Sequence, residues 1–336
     1  MTPMPLHQIH RSIGLIVLSF WMASAPPATA ADPSKVEGPN ACAECHEEEA
    51  KAWKQSHHFK TFREMPRRKE GKQIAKRMGI RRIKSEGLCL NCHFTVQQVG
   101  NRKPKPVAGI SCESCHSGGK EWIKLHSGFS GKTEQSESKA EEAARWQQAE
   151  SKGMIRPARI YQLAKNCYSC HVVPQEDLVN VGGHTIGSPF ELVSWSQGEV
   201  RHNTWYSKGK NVEATAARKR ILYVVGLSVE IETALRAIAK ANVRKLYAFQ
   251  MAERADAARK KLAQAAQAVP GVPELAKIVQ FSHAAGLKLK NEAALTAAAD
   301  GVSKEIQSIT TKYDGTNLAA IDGLIPGPDA YMGKAR

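Results

Sequence analysis

Cys42-Ala43-Glu44-Cys45-His46 recurs in kind as Cys89-Leu90-Asn91-Cys92-His93, Cys112-Glu113-Ser114-Cys115-His116 and Cys167-Tyr168-Ser169-Cys170-His171. These four motifs use all eight cysteines of a 336-residue sequence. Each has the spacing C-x-x-C-H, the attachment pattern of c-type haem. Two thiols add across the vinyl groups as thioethers, and the histidine that follows is carried under the iron as its axial ligand. With 12 histidines in the chain, a given position is His with a probability of about 0.04, so four such coincidences are on the order of 10⁻⁶. Four disulfides leave the histidines unexplained, as do two zinc sites of four cysteines each. The expectation is four covalently bound c-type haems on Cys42, Cys45, Cys89, Cys92, Cys112, Cys115, Cys167 and Cys170, with His46, His93, His116 and His171 as iron ligands.

A second axial ligand for each iron must come from elsewhere in the chain. His7 and His10 lie in the first 30 residues, which leaves His57, His58, His126, His184, His202 and His283. Met65, Met78, Met154, Met251 and Met332 stand without aromatic or glycine context and read as packing residues. A helix is expected from Glu47 through Lys60, and adjacent residues on it point about 100° apart, so His57 and His58 cannot serve one iron. His58, His126, His184 and His202 are taken as ligands and His57 is left out. His283, with Leu275, Val279 and Gly286 near its face, reads as a core histidine. A ligand ten or a dozen residues from a motif reaches a neighbouring haem more naturally than its own, so the haems must pack closely. Cys89 and Cys112 are 23 positions apart, against 47 and 55 for the other gaps, which makes the second and third haems expected neighbours.

Residues 1–30 read as a secretory signal. Arg11 supplies the positive n-region, Ile13–Ala25 is apolar, and Ala28-Thr29-Ala30 is a small-residue site with cleavage expected after Ala30. The apolar stretch is shorter than the roughly 20 residues a membrane span needs. An exported, periplasmic protein follows, with membrane association only through a partner. The composition, 48 Lys+Arg against 32 Asp+Glu, gives a formal charge of +16. Residues 51–84 hold 13 of those cations against Glu64 and Glu70. Such a face neutralises haem propionates and suits an acidic docking face on a redox partner. Nucleic acid is not an expected partner, given the export and the absence of interleaved aromatics.

Trp53-x-x-Ser56-x-His58, Gly109-Ile110-Ser111 before the third motif, Gly182-Gly183-His184 and the segment Phe190 to Asn203 together resemble the cytochrome c-554 family over about residues 38–206. The resemblance implies a tetrahaem cytochrome in which His58 crosses to the third haem, His126 to the first, and His184 serves the fourth. It also implies a second haem that can be five-coordinate, for which this chain offers His202. Exchanging His184 and His202 is equally consistent with the residues.

Past the haem region the composition shifts to Ala, Lys, Glu and Leu without cysteine. Leu227, Ile231, Ala234, Ile238 and Ala241 recur at helical spacing, Pro270, Gly271 and Pro273 interrupt the pattern, and further helices are expected through Leu287 and over Glu292–Lys312. The expected fold is mainly α: a multihaem cytochrome c with little regular secondary structure around four haems (31–206), then a C-terminal helical bundle (207–336). The bundle shows no catalytic constellation, and its expected role is to cover a haem edge or to self-associate into a homo-oligomer. The expected function is an electron carrier or relay through mostly bis-histidine haems. The alternative is a multihaem oxidoreductase acting on a small nitrogen or sulfur species at one five-coordinate haem.

Overall fold

The computed structural model describes residues 31–187 and 189–335, so the expected signal segment and its cleavage site lie outside the described residues. The chain is mainly helical. Among the described residues the only sheet is a two-stranded antiparallel hairpin, Thr95–Gln97 with Lys105–Ala108, which joins the second motif to the third.

Each C-x-x-C-H is wound into a helical turn, because thiols three residues apart fall on one face of a helix. Helices Gly87–His93, Cys112–His116 and Ile160–His171 all end on the histidine of their motif. The residue after each histidine leaves helical space: Phe94 and Val172 are extended and Ser117 has φ +70°. The ring is thereby set at a helix terminus. The first motif begins on Pro39–Ala43 and turns at Glu44.

The helix expected from Glu47 to Lys60 is broken in two, Glu47–Lys54 and His57–Glu64. Ser56 is the cause. It is extended, its Oγ accepts from Phe59 N at 3.2 Å, and its hydroxyl donates to Trp53 O at 2.7 Å. A hydroxyl that caps a helix competes with continuation of the preceding one. The break redirects His58, which then points away from its own motif.

Four helices follow the haem region: Ala216–Lys240, Leu246–Ala268, Pro273–Ala284 and Glu292–Lys312. The expected stripe Leu227, Ile231, Ala234, Ile238 and Ala241 is buried, but so are Val224, Val225, Val229 and Leu235 around the rest of the helix. A helix apolar on every side is an interior one. Ala216–Lys240 packs against Leu246–Ala268, against Glu292–Lys312 and against Ile160–His171, the helix of the fourth motif. One apolar core thus runs from Ile160 to Ile321. Tyr168, inside the fourth motif, rests on Gly226 of the central helix: a Cβ there would meet Leu192 Cβ at 2.9 Å and Tyr168 OH at 3.5 Å. The contact is tied by a buried carboxylate. Tyr161 O–H donates to Glu232 at 2.8 Å, Ser303 shares the same phenol at 2.6 Å, and Lys165 and Arg236 flank Glu232 at 3.6 and 3.0 Å.

His283 departs from expectation. It is exposed near the end of Pro273–Ala284 and is no core histidine. The face one turn earlier is filled by Leu275 and Ile278, which turns His283 outward. No helix among the described residues is long and apolar enough to cross a membrane.

One buried carboxylate makes the stability of the bundle depend on acid. Glu274 is buried, which raises the cost of its charge, yet Lys312 Nζ at 2.8 Å, Ser308 Oγ at 3.0 Å and Tyr313 OH at 3.1 Å hold it down to about 2. A depressed carboxylate stabilises the fold above its usual value of 4.5 and loses that effect as pH falls toward 2. Thermal unfolding followed by circular dichroism should therefore show Glu274→Gln less stable than the native chain at pH 6, with the difference vanishing by about pH 2. A difference that stays constant with pH would exclude this role.

Candidate functional site

The eight selected histidines meet in four pairs. His46 faces His126 with ring centroids 6.3 Å apart; His93 faces His184, His116 faces His202 and His171 faces His58, each at 6.2 Å. Rings in direct contact would lie closer. Two imidazole nitrogens on opposite sides of one metal ion, each about 2 Å from it, place the ring centroids about 6 Å apart. The spacing is that of a single interposed ion, repeated four times.

The second ring nitrogens fit the same purpose. Nδ1 of His116, His126, His184 and His202 lies 2.7, 2.6, 2.6 and 2.7 Å from the carbonyl oxygens of Ile155, Ile123, Thr185 and Val200. A ring that donates from Nδ1 to a carbonyl presents its Nε2 lone pair, the tautomer a metal requires. Burial pushes His58 and His126 below the ordinary imidazole value, His93 and His116 to about 4 and His171 to about 3. These rings are neutral at physiological pH, as metal ligands must be. All eight cysteines are free thiols, at hand for thioether bonds. Among the described residues no group of three or more His, Cys, Asp or Glu side chains could hold an ion. The ligand pairs therefore suit a metal whose remaining coordination is supplied by a macrocycle.

The pairing differs from the one implied by resemblance at three positions. His58 stands opposite His171 of the fourth motif and not the third. His184 stands opposite His93 of the second motif and not the fourth, as in the exchange of His184 and His202 left open above. His202 stands opposite His116 of the third motif and not the second. The break at Ser56 and the course of the chain after Gly182 decide this, and neither is visible as spacing. His57 takes no part. Its ring Nδ1 lies 2.8 Å from Glu199 Oε2 at the surface.

The motifs are also joined to one another. The thiols of Cys42 and Cys112 lie side by side, as do those of Cys92 and Cys170. Asn166 Nδ2 donates to Ser114 O at 2.7 Å and Cys115 O at 2.8 Å, which binds the third motif to the fourth. Thr95 Oγ1 lies 2.8 Å from the hydroxyls of both Ser111 and Ser114, which ties the strand after the second motif to the third. The thiol contacts pair the first site with the third and the second with the fourth, and Asn166 joins the two pairs between the third and the fourth.

Aromatic neighbours complete the sites. Phe190 stacks on His171 at 4.2 Å, and Trp205 covers His46 at 4.7 Å. Phe190 opens the segment singled out in the sequence and Trp205 lies just beyond it, but their contacts with these histidines were not legible there. Near the second motif, Phe62 packs edge-on against Phe94 at 6.2 Å. Phe62, Arg63, Pro66, Arg67 and Lys84 line an open cleft of about 390 Å³, with Lys84 Nζ 3.3 Å above the Phe62 ring.

His184 is placed by two glycines. The carbonyl of Gly182 accepts from Arg77 Nε at 2.7 Å, a Cβ at Gly182 would run into Leu178 O and Met78, and Gly183 has φ +69°. Substituting Gly182→Val should displace His184 from His93 and leave the other three pairs in place. Ligand-field and NMR signatures of the loaded protein would register the change at one site of four, and no change, or a change at all four, would exclude this positioning role.

Residues 41–117 match the family model described as cytochrome c554 and c-prime. The chain is 26% identical over 168 residues to cytochrome c-554 of Nitrosomonas europaea, an alignment that covers 47% of this chain and 66% of that protein. No solved structure matches the chain. The likeness read from Trp53, Ser56, His58 and the motifs is thus shown by two independent comparisons.

Proposed function

We propose that this chain is an exported tetrahaem c-type cytochrome that relays electrons between redox proteins. The thiols of each motif would hold one haem, and the residues that would ligate the irons are His46 with His126, His93 with His184, His116 with His202, and His171 with His58. When bound, each haem supplies a one-electron ferric/ferrous couple. The chain supplies two imidazoles per iron, orients four of them through backbone carbonyls, and sets His171 and His46 against Phe190 and Trp205.

The opposed histidine pairs carry this reading. Each motif histidine has an imidazole across from it, so no iron keeps a position for substrate. That favours transfer over catalysis. Two imidazoles, without a potential-raising Met ligand, favour low potentials. The thiol neighbours, with Asn166 between the third and fourth motifs, support a path from the first site through the third and fourth to the second. Oxidised protein should therefore carry four haems per chain and give four low-spin signals in electron paramagnetic resonance. His184→Ala should convert one quarter of the iron to high spin, and His202→Ala a different quarter. A high-spin signal in the native protein, or none in either variant, would overturn the assignment.

The cationic cleft supports an acidic partner at the second-site end. Phe94 follows His93 directly and packs on Phe62, and no acidic residue lines the cleft beside Arg63, Arg67 and Lys84. Charge of one sign speeds encounter with a partner of the other and is screened by salt. Oxidation of the reduced protein by the anion ferricyanide should slow as salt rises. The double substitution Arg63→Glu, Arg67→Glu should lower the low-salt rate severalfold and flatten the salt dependence. An unaltered salt dependence would place the docking face elsewhere.

A further inference from the structure

Inside the third motif lies a buried carboxylate that neither attachment nor ligation of a haem requires. Glu113 is 1% exposed. It accepts hydrogen bonds from the backbone amides of Glu37 at 2.8 Å, Gly38 at 2.7 Å and Gly119 at 2.7 Å. Gly38 is the cap of Pro39–Ala43, which carries Cys42, and Gly119 opens the turn into Ile123–His126. One side chain of the third motif thus anchors the helix of the first motif and the approach to His126, the partner of His46.

Amide donors satisfy the oxygens but do not cancel the charge. Among the described residues no Lys or Arg forms an ion pair with Glu113. A buried charge without a counter-ion is costly, and such charges are normally paired. Haems held on Cys42 and Cys112 would bring ferric centres of the opposite sign to this carboxylate. Cys42 and Cys112, which stand side by side, both lie within reach of the Glu113 charge. Glu37 also faces Cys42 and Glu49 faces Cys112. At the other two sites the charges acting on the motif histidines are cations that are themselves paired: Arg68, on His93, with Glu64 at 3.1 Å, and Arg254, on His171, with Glu230 at 2.9 Å. Of the opposing ligands, His58 faces Glu199 and His126 faces Arg145, both of which are in turn paired, with His57 and Glu137. Glu86, which faces Cys89, is exposed and screened by water.

We infer that Glu113 is a fixed internal charge that sets the first and third irons at lower potential than the second and fourth, so that electrons run downhill from the first site to the second. This rests on the tetrahaem reading proposed above. Each transfer moves one electron from a ferrous to a ferric iron, with no bond made or broken and no proton moved. A reduced redox protein supplies the electron at the first site and an oxidised one removes it at the second.

The test is a spectroelectrochemical titration of the loaded protein, with dithionite as reductant. Haem content and four low-spin signals are checked first, since their failure would sink the tetrahaem reading and not this inference. Glu113→Gln removes the charge and keeps the shape. Its expected effect is a rise of about tenfold in the reduction equilibrium constant at two sites, about 59 mV for a one-electron couple. Those two are identified by the signals that His126→Ala and His202→Ala abolish. No shift, an equal shift at all four sites, or a shift at the second and fourth would overturn the inference. Should Glu113→Gln fail to take up haem, Glu113→Asp, which keeps the charge, is expected to retain the two low potentials. Their rise to the level of the others in a fully low-spin Asp variant would equally overturn it.

Discussion

Two imidazoles held face to face with room for one ion between them are the constraint on which this structure turns. Each ring must keep a nitrogen lone pair free for that ion. Each must be locked in one tautomer, and each must be kept from closing on its partner. The carbonyls of Ile155, Ile123, Thr185 and Val200 lock four rings. Burial keeps His58, His93 and His171 below the ordinary imidazole value, and it acts on His116 as well. The short helices of the first half follow from this. A helix that ends at its motif histidine can aim the ring, and a long regular helix could not have brought four such pairs together in so few residues.

The helical second half answers a different need. A region whose interior is reserved for cofactors has little side-chain core of its own, and its smaller apolar cluster holds only Ala75, Ile83, Cys89 and Phe94 as fully buried members. Ala216–Lys240 supplies the missing apolar surface. It is buried on all sides and lies against the helix of the fourth motif through Gly226 and Tyr168. The core therefore extends across the boundary where the composition changes, because the fourth motif sits on a helix with one face toward the histidines and the other toward the bundle.

Much of this was legible beforehand. The four C-x-x-C-H motifs, the four added histidines and the helical character of the second half are local patterns, and local patterns survive in the sequence. What misled was distance along the chain. Spacing suggested that the second and third motifs would be close neighbours. They are linked through Thr95, but the thiols that touch belong to the first and third and to the second and fourth. Ser56 broke a helix that periodicity alone would have continued, and a cap is a competition between two hydrogen bonds that hydrophobic spacing does not weigh. His283 looked interior because its neighbours are apolar, yet the turn before it fills the core and leaves it outside.

Composition and motif thus determined, by themselves, the chemistry: thiols and a histidine at fixed offsets bind a haem wherever they fold, since the bond-forming groups lie within one helical turn. Only the tertiary structure decided which histidine opposes which, that Glu113 would be buried without a cation, and that Arg63, Arg67 and Lys84 would share one cleft with Phe62. Those relations join residues tens of positions apart. Their physical cause is the packing of helix ends against one another, which no stretch of sequence holds alone.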